Sequence, residues 1–397
     1  MERFLSQCAQ YIYNKHSDEL RNICLVFPNR RAGVFFTSYL QKCIDNPVIA
    51  PAVITVNEWM SSFSEWHIAE RLQLISLLYD TFCRHTKSNE TFDEFYFWGE
   101  ILLADFNDID RYLVNAKDLF TNISDIKEIE TIFDYLTPEQ KKALEYFWGS
   151  IAVGDKSAFK EKYTSVWDKL YPVYVDFKQQ LSAQRLAFPG MAEREVAEQL
   201  KNENFDFPCK QYYVIGLNAL NQCEKTFFSY LQKKGKINFL WDYDDAYLKD
   251  PGNEAGYFIR EDLRLFPSPD DFCFNTELFN HKKKMKMVAV ASVYGQSQQI
   301  PFFMEENAHD YRPEFDNTAV VLADESLLFA ALGAIPGSIE TVNVTMGYPL
   351  RNSVVYGFLM LLVALIKNKR KAGNGFSSYH RFVTDILNHQ LLKNTAS

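Results

Sequence analysis

Apolar residues fall along this chain in two textures, short unbroken runs and longer stretches spaced at helical intervals. Unbroken runs of four to eight residues read as strands covered on both faces, and a spacing of three and four reads as an amphipathic helix. The run Ile23-Cys24-Leu25-Val26-Phe27 predicts a buried strand. It breaks at Pro28-Asn29-Arg30-Arg31, and after Gly33 the positions Val34, Phe35, Tyr39 and Leu40 fall at helical spacing. Ahead of the run, Phe4, Leu5, Cys8, Tyr11 and Ile12 mark one face of a helix over residues 2–16. Behind it, Val48–Ala50 and Val53–Thr55 predict a second strand region, with Asn57 as the cap of a helix starting at Glu58.

From about Thr91 the texture turns to aromatic, acidic helices (FDEFYFWGEILLADFNDIDRYLVNAKDLF), with a further helix start at Thr137-Pro138. Strand patterns resume only after Pro208, so residues 89–205 read as an all-helical insertion. The apolar strand Tyr212–Leu217, a helix over Glu224–Gln232 and the strand Ile237–Trp241 then continue the α/β pattern. Turn-forming residues at 250–253 and 267–270 mark a linker. A second α/β unit follows Lys282-Lys283-Lys284, with strands at Met287–Ser292, Thr318–Leu322 and Val342–Thr345 and helices at Gly295–Glu306, Glu325–Ala334, after Pro349, and His380–Leu392. The apolar run Val354–Ile366 is shorter than the ~18 residues that span a bilayer and reads as a buried core helix.

Composition narrows the class. With 47% hydrophobic residues and 15% aromatics, core material is plentiful and no long segment is expected to stay unfolded. A net charge of −9 excludes a uniformly basic nucleic-acid binder and leaves room only for a local positive groove. The 7 cysteines are odd in number, scattered and without C-x-x-C spacing, which fits reduced thiols in cytoplasm and argues against a disulfide framework or a zinc site. Asp105, Asp108 and Asp110 read as a solvated helix face, and His67, His85, His281 and His380 lack a second ligand at metal spacing.

Strand, tight turn and helix is the frame of a P-loop, whose G-x-x-x-x-G-K-[ST] loop wraps phosphate in backbone N–H groups. Counting Pro28, Asn29, Arg30, Arg31 and Ala32 as loop positions puts Gly33 at the second glycine, Val34 at the lysine and Phe35 at the magnesium-binding hydroxyl. The second phosphate-site strand, which should end in a carboxylate, ends in Ile215-Gly216-Leu217. The expected fold is therefore α/β, P-loop NTPase-like, with its nucleotide chemistry lost and no cofactor or metal in this stretch. Residues 1–88 with 206–278 form the first domain, 89–205 the insertion, and 279–397 an incomplete second domain.

Three stretches, VFPNRRAGVFF, WGEILLADFNDIDRYLVNAKDLF and VNVTMGYPLRNSVVYGFLMLLVAL, together resemble the N-terminal half of AddB-type proteins. These are bacterial helicase-like nuclease subunits that pair with an AddA helicase to process broken DNA ends. The element Thr345–Leu350 is the most specific word of the likeness. The resemblance implies a superfamily 1 helicase fold, single-stranded DNA and an AddA-like helicase subunit as partners, no membrane, and an exonuclease as the parent protein. It also implies a PD-(D/E)-x-K nuclease domain at the far C-terminus of such proteins. Here Pro269-Asp270 is the only Pro-Asp pair and no [DE]-x-K follows it, so this stretch is the helicase-like part alone. Two functions stay open: a catalytically inactive DNA-holding scaffold, or an active ATP-driven translocase. The DNA-binding candidates are Arg30, Arg31, Trp59, Tyr348 and Arg351; the competing reading makes the arginines solvated turn residues and the aromatics packing residues.

Overall fold

The structure, a computed structural model, describes residues 3–125, 156–200, 205–274, 276–277, 279–307, 318–372 and 375–393. The expected helix at Thr137-Pro138 lies outside them. Two compact units divide the chain, Met1–Lys282 and Lys283–Ser397.

The first unit opens with α1 (Phe4–His16), β1 (Ile23–Phe27), α2 (Arg30–Cys43), β2 (Ala52–Thr55) and α3 (Val56–Ser61). A two-residue strand β3 (His67–Ile68) leads into α4 (Arg71–Thr86), α5 (Phe92–Arg111), α6 (Ala116–Asp125) and α7 (Lys156–Ala183). After β4 (Leu186–Ala187) and α8 (Pro189–Gln199), the chain returns through β5 (Gln211–Ile215), α9 (Gln222–Lys233), β6 (Ile237–Leu240), α10 (Asp245–Lys249) and α11 (Tyr257–Leu265).

A parallel four-stranded sheet in the order β2-β1-β5-β6 organises this unit. Alternation along β1 explains why its residues had to be apolar without a break. Leu25 and Phe27 join Cys8, Ile12, Phe36 and Leu40 of α1 and α2 on one face, while Cys24 and Val26 join Trp59, Phe227 and Phe228 of α3 and α9 on the other. The helix after β1 therefore lies on one face of the sheet and the helix after β5 on the opposite face. Adjacent parallel strands whose connections leave on opposite faces open a crevice at their C-terminal ends, where α/β folds hold ligands.

The helical body has its own core, built from Leu74, Ile75 and Phe82 of α4, Phe95 and Phe106 of α5, Val173 and Phe177 of α7, and Phe188 and Met191 of α8. It begins at Ala69, ahead of residue 89, because α4 packs on α5 and α7 and because β3 pairs with β4. Helix α8 serves both bodies: Met191 and Ala192 face the helical core, and Val196 and Ala197 face the sheet core.

The second unit departs from the expected α/β pattern. Residues 287–292, 318–322 and 342–345 carry no strand pairing, and the one pairing among the described residues is the antiparallel couple β7 (Arg370–Ala372) and β8 (Gly375–Ser377). An apolar alternation becomes a strand only where a neighbour and a face to cover it exist. Here Met287 and Val321 are 97% and 88% exposed. The helix expected over Gly295–Glu306 is split into Val293–Ser297 and Ile300–Asn307, with Pro301 at the restart. The helix Val354–Lys367 forms, capped by the Ser353 hydroxyl on the Tyr356 N–H, but none of its residues is buried, which overturns its reading as a core helix. No helix among the described residues is long and apolar enough to cross a membrane.

Candidate nucleic-acid interface at the sheet edge

Only Pro28 and Asn29 separate β1 from α2. Asn29 has an extended backbone, and its side-chain oxygen accepts the Ala32 N–H at 2.9 Å, capping a helix that has already begun at Arg30. The expected eight-residue phosphate loop over Pro28–Phe35 is thus not a loop. Arg30, Arg31, Ala32, Gly33, Val34 and Phe35 are the first turns of α2, and their N–H groups cannot curl around a triphosphate. Gly33 is kept for packing: a Cβ there would stand 2.6 Å from Cγ1 of Val53, so only glycine lets α2 lie this close to β2. Val34 and Phe35, expected to occupy the sites of lysine and magnesium, point outward at 69% and 47% exposure.

Arg30 and Arg31 occupy the first two helical positions, at the C-terminal mouth of β1, and both are exposed. Cations there oppose the helix dipole, which favours negative charge at that end. One acid answers them. The guanidinium of Arg30 pairs with Oε1 of Glu58, with Nε at 2.7 Å, while Oε2 of Glu58 accepts the backbone N–H and the hydroxyl of Thr55, each at 2.9 Å. These bonds, the Thr55 backbone N–H first and Arg30 next, hold the Glu58 carboxyl below the usual carboxylate range. Thr55 is also the cap of α3 in a reciprocal capping box with Glu58, where Asn57 had been expected. The Thr-x-x-Glu spacing at 55–58 is the sequence signal for this pair.

The other candidates scatter. Trp59 is 4% exposed, stacked on Tyr212 at 4.6 Å and met edge-on by Phe227 at 4.8 Å, so it belongs to the sheet core and offers no open ring face. Tyr348 and Arg351 belong to the second unit. The Tyr348 ring meets Phe329 edge-on at 4.7 Å and its hydroxyl donates to the Asn352 carbonyl at 2.7 Å; Arg351 is exposed in the 3-10 turn Leu350–Asn352. At the end of β5, Ile215 and Leu217 are buried, and Gly216 takes a φ of +69° while donating its N–H to the Leu240 carbonyl at 2.9 Å. That left-handed turn suits glycine and carries no acid.

Asp105 and Asp108 are exposed as read, but Asp110 is fully buried. Its carboxylate takes the Tyr174 hydroxyl at 2.5 Å, the Lys178 ammonium at 2.8 and 2.9 Å and the Arg194 guanidinium at 3.2 Å. It pins α5, α7 and α8 together. Among the described residues no group of three or more His, Cys, Asp or Glu side chains is placed to hold a metal ion.

No protein-family model matches the chain, and no curated protein matches it either.

Proposed function

We propose that this chain is a catalytically inactive, helicase-like scaffold that holds single-stranded DNA for a bacterial break-repair helicase–nuclease, beside an AddA-like subunit. The reading rests on one observation above the others: two exposed arginines head a helix at the sheet's ligand-binding edge, where the helix dipole would favour anions and acidic side chains. The likeness of VFPNRRAGVFF and of Thr345–Leu350 to AddB-type proteins supplies the class of partner. A P-loop ancestry is part of the proposal. It accords with the parallel strand order and with a strand–turn–helix that keeps Gly33 but has lost the lysine, the hydroxyl and the wrapping loop.

Titrating a short labelled oligonucleotide at low and moderate salt tests the reading. Single-stranded binding should weaken with salt, each phosphate contact contributing about −0.7 to the slope of log affinity against log salt. Replacing Arg30 and Arg31 together with alanine should flatten that slope. Tighter binding to blunt duplex, salt-independent affinity, or magnesium-dependent ATP turnover stimulated by DNA would overturn the proposal.

A further inference from the structure

A second group of charges lies where the helical body meets the sheet. Glu193 of α8 is 4% exposed; its Oε1 accepts Nε and Nη2 of Arg111 at 3.1 and 2.8 Å, and its Oε2 accepts the side-chain amide of Asn221 at 3.1 Å. Asn221 caps α9, taking the Glu224 N–H at 2.8 Å, while Oε2 of Glu224 takes the Asn221 N–H at 2.8 Å. Asp262 of α11 is 1% exposed, and neither of its carboxylate oxygens has a well-formed hydrogen bond; the Leu220 backbone and Lys225 lie near enough only to offset part of its burial. Its nearest cation, Lys225, stands 3.7 Å away and is already engaged with Glu261 at 3.1 Å.

Around Glu224, then, stand Glu193 and Arg111 from the helical body and Asp262 from α11, with Lys225 and Glu261 beside Asp262. The three inner carboxylates outnumber the cations Arg111 and Lys225. A buried ionised carboxylate without hydrogen bonds is expensive, and its protonated form far less so. We propose that Glu193, Glu224 and Asp262 form a proton-dependent joint, which docks the helical body on the sheet while Glu224 and Asp262 carry protons and loosens when they lose them. Burial first, then the neighbouring carboxylates, pushes the Glu224 carboxyl up to about 7, and burial does the same for Asp262, to about 6. Both are raised, so the docking they support is complete in acid and is lost as pH rises through those two values.

Hydrogen exchange of the intact chain at pH 6 and pH 8, corrected for the intrinsic chemical rate, reads the joint directly. Protection over residues 189–200 and 221–233 should fall about tenfold or more across that interval, one tenfold step per titration unit, while β1 stays protected. The double variant Glu224→Gln, Asp262→Asn imitates the protonated pair and should keep its pH 6 protection at pH 8. Should that variant not fold, Glu224→Gln alone retains the capping bond to Asn221 and should remove the fall between pH 6 and pH 7. Equal seam protection of the wild type at both pH values, or an undiminished fall in either variant, overturns the joint.

Discussion

Two of the arginine–glutamate pairs among the described residues of the first unit have opposite characters. Arg30–Glu58 at the head of α2 is open, with the arginine side chain 84% exposed; Arg111–Glu193 at the seam is closed, with the glutamate side chain 4% exposed. The closed pair continues through the Asn221 side chain to Glu224. The open pair is anchored on its glutamate side alone, by Thr55. An exposed pair of this kind contributes about 0–1 kcal/mol, whereas breaking a buried one costs about 3–5 kcal/mol. Burial, and not residue type, separates the charges that build this molecule from those free to meet a ligand.

The sharpest way to break that distinction is at Asp110. Replacing it with alanine strands Lys178 and Arg194 beside Tyr174 and should cost about 3–5 kcal/mol in denaturant unfolding. Asp108→Ala, two positions away and exposed, should stay within about 0.5 kcal/mol. Equal effects would mean that the network is dispensable. Glu224 comes next: its carboxyl is raised to about 7, so folding stability should decline as pH climbs from about 5 through 7, by on the order of 2 kcal/mol, and Glu224→Gln should level the curve above about pH 6 in thermal melts, leaving only the part that Asp262 contributes below it. A stability that instead rose with pH would reverse the sign of the burial argument. At the open pair the figures shrink. Thr55→Ala removes the cap of α3 and one anchor of Glu58, for about 1 kcal/mol.

The same contrast explains what could be read without coordinates. The sheet was legible because Ile23–Phe27 and Tyr212–Ile215 are buried on both faces, and so is Ile237–Leu240 apart from the half-buried Asn238; a strand covered twice is apolar almost throughout. Pairing in the second unit was not, since the run holding Val320 and Val321 and the alternating Val342 and Val344 have the pattern of strands while all four remain exposed, and sequence cannot state whether a neighbour exists. Asp105, Asp108 and Asp110 were indistinguishable by type; what set Asp110 apart is a tyrosine and a lysine on α7, far along the chain. Trp59 misled for a related reason. An aromatic beside a strand end suits a stacking platform for a base, but here Tyr212 and Phe227 already occupy its faces.

Glu58→Gln carries the smallest expected effect and bears most directly on what the open pair is for. Glutamine keeps the side-chain oxygen that closes the capping box on Thr55, so the fold should lose no more than about 1 kcal/mol. The change removes the charge that neutralises Arg30 and leaves that guanidinium beside Arg31 at the head of α2. If the pair masks a phosphate contact, the variant should bind a single-stranded oligonucleotide more tightly than the wild type. Its salt slope should steepen by about 0.7, the increment of one additional phosphate. Adding Arg30→Ala to the variant should then cancel the gain. A variant that binds no better, or one whose tighter binding survives the loss of Arg30, would show that the glutamate serves only to start α3 and that the arginines face no strand of DNA.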